Sequence, residues 1–169
     1  FSVSGTMNTA RANLASAGTQ TAGIAYGGNN PPPGSSASET YDGSSWTEVG
    51  DVNTQREEHA AAGTTAAALT FGGKSGSATA NNELWDGSSW TELSDYTTGR
   101  INGVGTGSSS AALLSGGNPA PVNASTEEFT APSDFVRVLQ FLQDEKFSPY
   151  HCFRVEHPVP LSNPKLTLT

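Results

Sequence analysis

The chain has 169 residues, of which 34% are apolar and 14% are charged, and its formal net charge is −8. Residues 1–133 contain four basic and twelve acidic side chains, so nucleic-acid binding, which needs clustered Lys and Arg, is excluded. Cys152 is the only cysteine, which excludes an intrachain disulfide, and no run of about 18 apolar residues is present to span a membrane.

The chain repeats itself at a period of 44 or 45 residues. The segment Tyr41-Asp-Gly-Ser-Ser-Trp46-Thr-Glu returns as Trp85-Asp-Gly-Ser-Ser-Trp90-Thr-Glu. The sequence contains three copies, at 1–45, 46–89 and 90–133, and a non-repeating tail follows at 134–169. A fixed period of this length indicates an array of one supersecondary unit. The residues that recur in register are Arg11, Arg56 and Arg100; Glu39, Glu83 and Glu127; Trp46 and Trp90; and the pairs Gly27-Gly28, Gly72-Gly73 and Gly116-Gly117.

Each copy predicts four short antiparallel strands. Alanine favours helix, so residues 57–71 taken alone would be read as helical. Gly18, Gly63 and Gly107 interrupt the small-residue tract in all three copies, which favours two strands joined by a hairpin. A variable polar loop follows Gly-Gly, then a third strand (39–41 or 83–85), an Asp-Gly-Ser-Ser turn, and a fourth strand (46–49 or 90–93).

Four antiparallel strands per repeat are typical of a propeller blade. Crowding near a propeller axis accounts for Ala and Gly in the first two strands, while the larger Trp and Tyr suit the outer strands, between neighbouring blades. We therefore expect an all-β fold of about three four-stranded antiparallel blades, with a short C-terminal tail that includes at most one helix.

The order Arg, small-residue strand, Gly-Gly, Glu-x-Tyr-Asp, Trp resembles the kelch repeat over about residues 1–133. The resemblance implies a partial β-propeller related in fold to the galactose-oxidase propeller, a family that typically has six or seven blades. In their Ala-rich tracts and Asp-Gly-Ser-Ser-Trp-Thr-Glu segments, the repeats are also similar to kelch-type repeats of phage and environmental-virus structural proteins. The oxidase activity is not implied, because its copper site needs Tyr, His and Cys ligands and residues 1–133 contain no Cys and only His59.

Three blades do not close a ring of six or seven. The third copy also departs from the pattern, because Phe129-Thr-Ala-Pro-Ser replaces the aromatic-Asp-Gly-Ser-Ser segment and Asp134 stands where Trp is expected. Three explanations stay open: a fragment, a pair of copies that complete a six-blade ring, or a tail that covers an exposed face. Self-association or another subunit assembly is the preferred one. Phe1, which lies within a repeat and is not Met, favours a processed or truncated product.

The tail has a different composition. Phe135, Val138, Leu139 and Leu142 follow a helical spacing after Ser133, a candidate N-cap, and prolines follow from Pro149 onward. The tail is interpreted as a docking segment for a neighbouring subunit, as a cap on the last blade, or as non-native sequence.

Catalytic, metal and cofactor sites are not predicted. His151, Cys152 and His157 form the one cluster with metal-ligating side chains, but a tetrahedral zinc site needs more ligands, and an ordinary loop cluster is preferred. The recurring Arg and Glu residues are interpreted as structural pairs and not as a ring of charges that lines a channel. Asp42 and Asp86 are interpreted as turn formers, because one carboxylate per turn is too few for calcium.

Recognition is expected where the copies differ, in the loops after Gly-Gly. The candidate binding residues are Asn29, Asn30, Lys74, Ser75, Asn118 and Asn123. The predicted function is that of a non-enzymatic structural or binding module of a virion or extracellular surface appendage, which acts through subunit contacts and blade loops. The alternative is a carbohydrate-binding or oxidase-related propeller in which Trp and Tyr stack on surface glycans.

Overall fold

The computed structural model describes residues 4–29, 34–119 and 124–131, and these residues form an all-β structure without an α-helix. Its strands are β1 Ala15–Thr19, β2 Ala22–Tyr26, β3 Ser38–Tyr41, β4 Trp46–Val49, β5 Ala60–Gly63, β6 Ala68–Phe71, β7 Lys74–Ser75, β8 Ser77–Ala78, β9 Asn82–Trp85, β10 Trp90–Leu93, β11 Val104–Gly107, β12 Ala111–Ser115 and β13 Thr126–Thr130. The predicted tail helix lies outside the described residues.

Eleven of these strands form three successive antiparallel sheets, and β7 and β8 form a separate two-stranded hairpin. The first sheet has the order β1-β2-β3-β4, the second β5-β6-β9-β10 and the third β11-β12-β13. The first strand of each sheet contacts the first strand of the next, since β1 contacts β5 and β5 contacts β11. The described part of the chain is thus a partial propeller-like arrangement, which confirms the predicted fold class. The position predicted for a fourth strand of the third sheet lies outside the described residues.

Glycine decides the conformation of the Ala-rich tracts. Gly18, Gly63 and Gly107 have φ of 109°, 103° and 107°, in a region that side chains rarely adopt. A Cβ on Gly63 would lie 2.3 Å from the carbonyl oxygen of Ala67. Gly63 and Gly107 end β5 and β11, and Gly18 is the penultimate residue of β1. Each tract therefore folds back as a hairpin, and the predicted pair of strands is confirmed in all three copies.

The Asp-Gly-Ser-Ser segments are tight turns, as predicted. Asp42 Oδ1 accepts hydrogen bonds from the backbone amides of Ser44 and Ser45, both at 2.8 Å, and Asp86 makes the same bonds one copy later. The backbone amide of Ser45, followed by that of Ser44, lowers the pKa of Asp42 below its ordinary value. Each carboxylate therefore stabilises the turn in which it lies by accepting hydrogen bonds from that turn's backbone.

The sequence copies and the sheets are out of phase. Trp46 begins the second copy, yet it opens β4, which closes the first sheet; Trp90 opens β10, which closes the second. Each such strand therefore ties the start of one copy to the sheet formed by the copy before it. The loop after Gly72-Gly73 is also more ordered than predicted, because β7 and β8 pair around Gly76, whose φ is 85°.

Two apolar layers lie between the sheets. At the first junction, Ile24 and Tyr26 pack with Trp85 and Trp90 of the second sheet. At the second junction, the buried core includes Leu69, Phe71, Leu84 and Leu114, and Phe129 packs against it. The large aromatic residues of β9 and β10 thus lie between neighbouring sheets, as the sequence predicts, and Tyr26 of β2 joins them.

Candidate functional site

The recurring Arg and Glu residues form an ion pair in each copy. Arg56 pairs with Glu83 through Nη2, and its Nη1 donates to the carbonyl oxygens of Gly72 and Asn81, both at 3.0 Å. Glu83 in turn accepts hydrogen bonds from the backbone amides of Asn53 (2.7 Å) and Thr54 (3.2 Å). The equivalent pairs are Arg11 with Glu39, at 2.8 Å, and Arg100 with Glu127.

These pairs are structural in their geometry. The side chains of Arg56 and Glu83 are 0% and 1% exposed, while Glu127 is 22% exposed. Each pair joins the loop before the first strand to the third strand and to the Gly-Gly corner. Because the donors and acceptors of Arg56 and Glu83 bond to protein groups, these two residues are turned away from any ligand in solvent.

The loop candidates occupy equivalent places at one end of the sheets. Asn29, Lys74 and Asn118 each follow a Gly-Gly pair and form backbone bridges with Ala12, Glu57 and Ile101 respectively. Ser75 is exposed in the β7–β8 hairpin. Asn30 and Asn123 lie outside the described residues.

Two of these candidates contact a pair of acidic residues, Glu57 and Glu58, that was not predicted as part of a site. Lys74 Nζ lies 2.6 Å from Glu58 and 3.7 Å from Glu57, and the amide of Asn29 donates to Glu57. The amide of Asn102 reaches the other oxygen of Glu58 at 3.3 Å. These five residues are called the loop-end cluster. The side-chain contacts described for the chain do not join Asn118 to it.

Backbone hydrogen bonds link equivalent residues of the three copies next to the loop-end cluster. Glu58 donates its amide hydrogen to the carbonyl of Asn13 at 3.0 Å, and Asn102 donates to that of Glu58 at 2.8 Å. All three residues have φ between 53° and 56°, a region that Asn tolerates better than Glu. Each lies two positions after a recurring Arg. That offset is the signal in the sequence by which Glu58 could have been found.

His59 lies below this cluster as a neutral packing group. His59 is 7% exposed, and the centroid of its ring is 5.6 Å from the centroid of the Tyr26 ring. Burial, and secondarily the charge of Arg56, lowers the pKa of His59 to about 3. Burial also raises the pKa of Tyr26, whose hydroxyl donates to the carbonyl of Leu69 at 2.7 Å. Both rings are therefore neutral near pH 7.

The third sheet presents a face with two exposed apolar side chains, here called the trailing face. Val104 and Leu113 are 67% and 38% exposed, whereas Ala60 and Leu69, their equivalents one copy earlier, are 5% and 0% exposed. The trailing face is equivalent in position to the side of the second sheet that is covered by the third sheet, although Thr106, Ser115 and Glu128 stand where that side has Ala62, Phe71 and Leu84.

The first sheet presents the opposite kind of face, here called the leading face. Tyr41 and Trp46 are half-buried, with ring centroids 5.1 Å apart. Trp85 and Trp90, one period later, form the same kind of pair at 5.6 Å and are 1% and 6% exposed at the first junction. Trp46 and Trp90 thus hold equivalent positions, but the first sheet buries Trp90 whereas Trp46 is only half-buried.

Metal-ligating side chains do not converge in the described ranges. No group of three or more His, Cys, Asp and Glu residues with metal-binding geometry occurs among residues 4–29, 34–119 and 124–131. His151, Cys152 and His157 lie outside those ranges. Within them, no helix is long and apolar enough to cross a membrane.

Comparison with known proteins supports the fold. The solved structure of YjhT matches 73% of this chain with a TM-score of 0.63 at 15% sequence identity. The chain spans 44% of the YjhT chain, so the two share an arrangement of sheets over less than half of that protein. No protein-family model and no curated protein sequence matches the chain.

Proposed function

We propose that the chain is a non-enzymatic, kelch-type propeller module that works through subunit contacts, with the loop end as its recognition surface. A component of a virion or an extracellular surface appendage is the setting we propose for it. The observation that carries the proposal is the exposure of Val104 and Leu113 at positions whose equivalents are buried between sheets.

The two open faces are complementary in kind. Within the chain, a face of the trailing type is covered by a face of the leading type at both junctions. A leading face from a second copy therefore supplies the surface that the trailing face matches. Two copies joined in this way would contribute six sheets, and propellers commonly contain four to eight blades. Each copy would use one face in each of two identical contacts, which closes the assembly.

The loop-end cluster is proposed to face the partner or ligand of the assembled module. Glu58 lies in the loop before β5 and Asn102 in the loop before β11, so loops of two neighbouring sheets converge with Lys74 at one end of the array. Loops on a rigid scaffold commonly carry recognition, and here they differ between copies while the scaffold repeats.

A complementation experiment tests the subunit contact. Leu113→Asp damages only the trailing face and Trp46→Asp only the leading face, so each variant alone should shift towards monomer in sedimentation equilibrium. An equimolar mixture retains one undamaged pair of faces, and we expect it to recover a heterodimer. Failure of the mixture to associate would count against a contact between unlike faces, because a contact between like faces cannot be rescued in this way.

Ser77→Asp is the matched control for added charge. Ser77 is exposed in the β7–β8 hairpin, away from both faces, and this variant should associate like the wild type. Circular dichroism of each variant checks that its sheets are retained. Wild-type protein that stays monomeric while folded would refute the proposed assembly.

Carbohydrate binding is the second candidate function. The observation that favours it is the half-buried Tyr41–Trp46 pair, since aromatic faces of this kind pack against sugar rings. Glycan-array binding by the wild type that is lost in Trp46→Ala, with no change in mass, would favour this candidate over self-association. Array binding unaffected by Trp46→Ala would count against it.

A further inference from the structure

Two kinds of backbone hydrogen bond join each repeat to the next at the loop end. In the first kind, the residue two positions after the recurring Arg donates to its equivalent in the preceding repeat. Glu58 donates in this way to Asn13, and Asn102 donates to Glu58. Each internal junction therefore has one such bond, and its donor belongs to the later repeat.

In the second kind, the second Gly of a Gly-Gly pair donates to the recurring Arg of the following repeat. The amide nitrogen of Gly28 lies 2.8 Å from the carbonyl oxygen of Arg56. The amide nitrogen of Gly73 lies 2.9 Å from the carbonyl oxygen of Arg100. Here the donor belongs to the earlier repeat, so each junction carries one bond in each direction.

The same kinds of backbone group lie at the two open ends of the array. The last repeat has the carbonyl of Asn102 and the amide of Gly117. The first repeat has the amide of Asn13 and the carbonyl of Arg11. Within the described part of the chain, none of these four groups makes a hydrogen bond. Backbone groups need partners wherever an interface covers them, and the groups at one end match those at the other.

The unpaired groups have the backbone conformation of their bonded equivalents. The φ of Gly117 is 103°, close to the 91° of Gly28 and the 90° of Gly73. Asn102 and Glu58 share a φ of 56°. The third repeat therefore has its loop-end donor and acceptor in the conformation that makes both bonds at the internal junctions.

We propose that these groups fix the register in which two chains associate. The carbonyl of Asn102 accepts from the amide of Asn13 in a second chain, and the amide of Gly117 donates to the carbonyl of Arg11 in that chain. This register rests on the proposed subunit assembly and closes the first series of bonds into a ring of six residues. Asn13 of the second chain then lies beside Asn102 of the loop-end cluster, so the recognition surface is complete only in the pair.

Hydrogen exchange, followed amide by amide by NMR, tests this register in the unmodified chain. The amides of Asn13 and Gly117 should exchange at least about tenfold more slowly in associated wild-type protein than in monomeric Leu113→Asp, because each gains an acceptor. The amides of Glu58 and Gly73 are the references and should be equally protected in both proteins, since their bonds lie within one chain. Associated protein with fast exchange at Asn13 and Gly117 would overturn the register.

Cysteine pairs give a second test. All variants carry Cys152→Ser, so that only the introduced cysteines react. A short bismaleimide should join Asn13→Cys chains to Asn102→Cys chains as a covalent heterodimer. The intrachain reference for its reach is Glu58→Cys combined with Asn102→Cys. The matched control is a mixture of Asn13→Cys and Ser108→Cys chains, which should not be joined, because Ser108 follows β11 at the opposite end of the sheet.

The outcomes separate this register from the assembly on which it rests. Sedimentation equilibrium of the same variants without the bismaleimide reports association alone. Chains that associate, but in which the pair at positions 13 and 102 is joined no better than the control, would contradict the register and leave the assembly standing. Chains that stay monomeric would remove both.

Discussion

The buried Arg–Glu pairs show how one residue pattern positions a whole copy. A charge removed from water is tolerated when its hydrogen-bonding groups are satisfied, and Arg56 meets that condition with three carbonyl oxygens and Glu83. The same set recurs around Arg11 and Arg100. The pairs fix the loop that leads into each first strand, and through it the loop-end cluster.

Glu83→Gln should destabilise the chain by about 3–5 kcal/mol, because it leaves the buried guanidinium of Arg56 without a counter-charge. Glu127→Gln is the matched comparison and should cost less, since Glu127 is 22% exposed. Urea denaturation measures both free energies of unfolding. Equal losses in the two variants would contradict the role of burial.

His59 should make stability depend on pH. Its pKa is about 3 in the folded chain against an ordinary 6.5, so the unfolded chain binds more protons between these values and stability falls as the pH is lowered. The loss approaches about 1.4 kcal/mol per pH unit within this window. The free energy of unfolding should therefore fall more steeply from pH 7 to 4.5 in the wild type than in His59→Leu. Parallel curves would show that His59 titrates equally in both states.

At the residue scale, the sequence predicts recurring partners better than isolated ones. Arg56 and Glu83 stand out because the same residue types return at a spacing of 27 or 28 residues in every copy. Glu57 and Glu58 were not predicted, because the other copies have different residues there and only the backbone bridges bring Lys74 to them. The ion pairs of Lys74 with Glu57 and Glu58 are made by one copy alone and leave no periodic signal, although Glu58 shares its offset from a recurring Arg with Asn13 and Asn102.

At the element scale, close approach of the first strands governs which residues they carry. A Cβ on Gly105 of β11 would lie 2.3 Å from the carbonyl oxygen of Ala61 in β5. The small residues of these tracts are therefore required by the packing of neighbouring sheets, in addition to the turns within each hairpin.

Gly105→Ala should destabilise the chain by about 1–3 kcal/mol, because the added methyl group forces β11 away from β5. Gly23→Ala is the control: the nearest atom to its Cβ would lie at 3.6 Å, an ordinary contact, and its effect should be small. Thermal unfolding followed by circular dichroism compares them. A Gly105→Ala variant as stable as Gly23→Ala would show that the two strands can separate freely.

Element type followed from the sequence only when the copies were compared. The tract at 57–71 has helical propensity, and the glycines shared by all copies correctly indicated hairpins instead. The β7–β8 hairpin was missed because a four-residue pairing around Gly76 has no apolar alternation to reveal it.

At the scale of the whole molecule, the open faces are the feature that most needs explanation. Each internal junction buries a trailing-type face against a leading-type face, and the described chain presents one of each to solvent. The repeat pattern allowed this mismatch to be anticipated, because three copies are fewer than a propeller ring requires. It could not indicate which side chains are exposed, since that depends on strand register.

The mass of the wild-type chain in solution tests the proposed assembly most directly. Sedimentation equilibrium over a wide range of concentration should give a mass of twice 17.4 kDa, as expected for two copies that cover one another's open faces. A folded chain that keeps a mass of 17.4 kDa at every concentration, with Val104 and Leu113 still accessible to solvent, would contradict it.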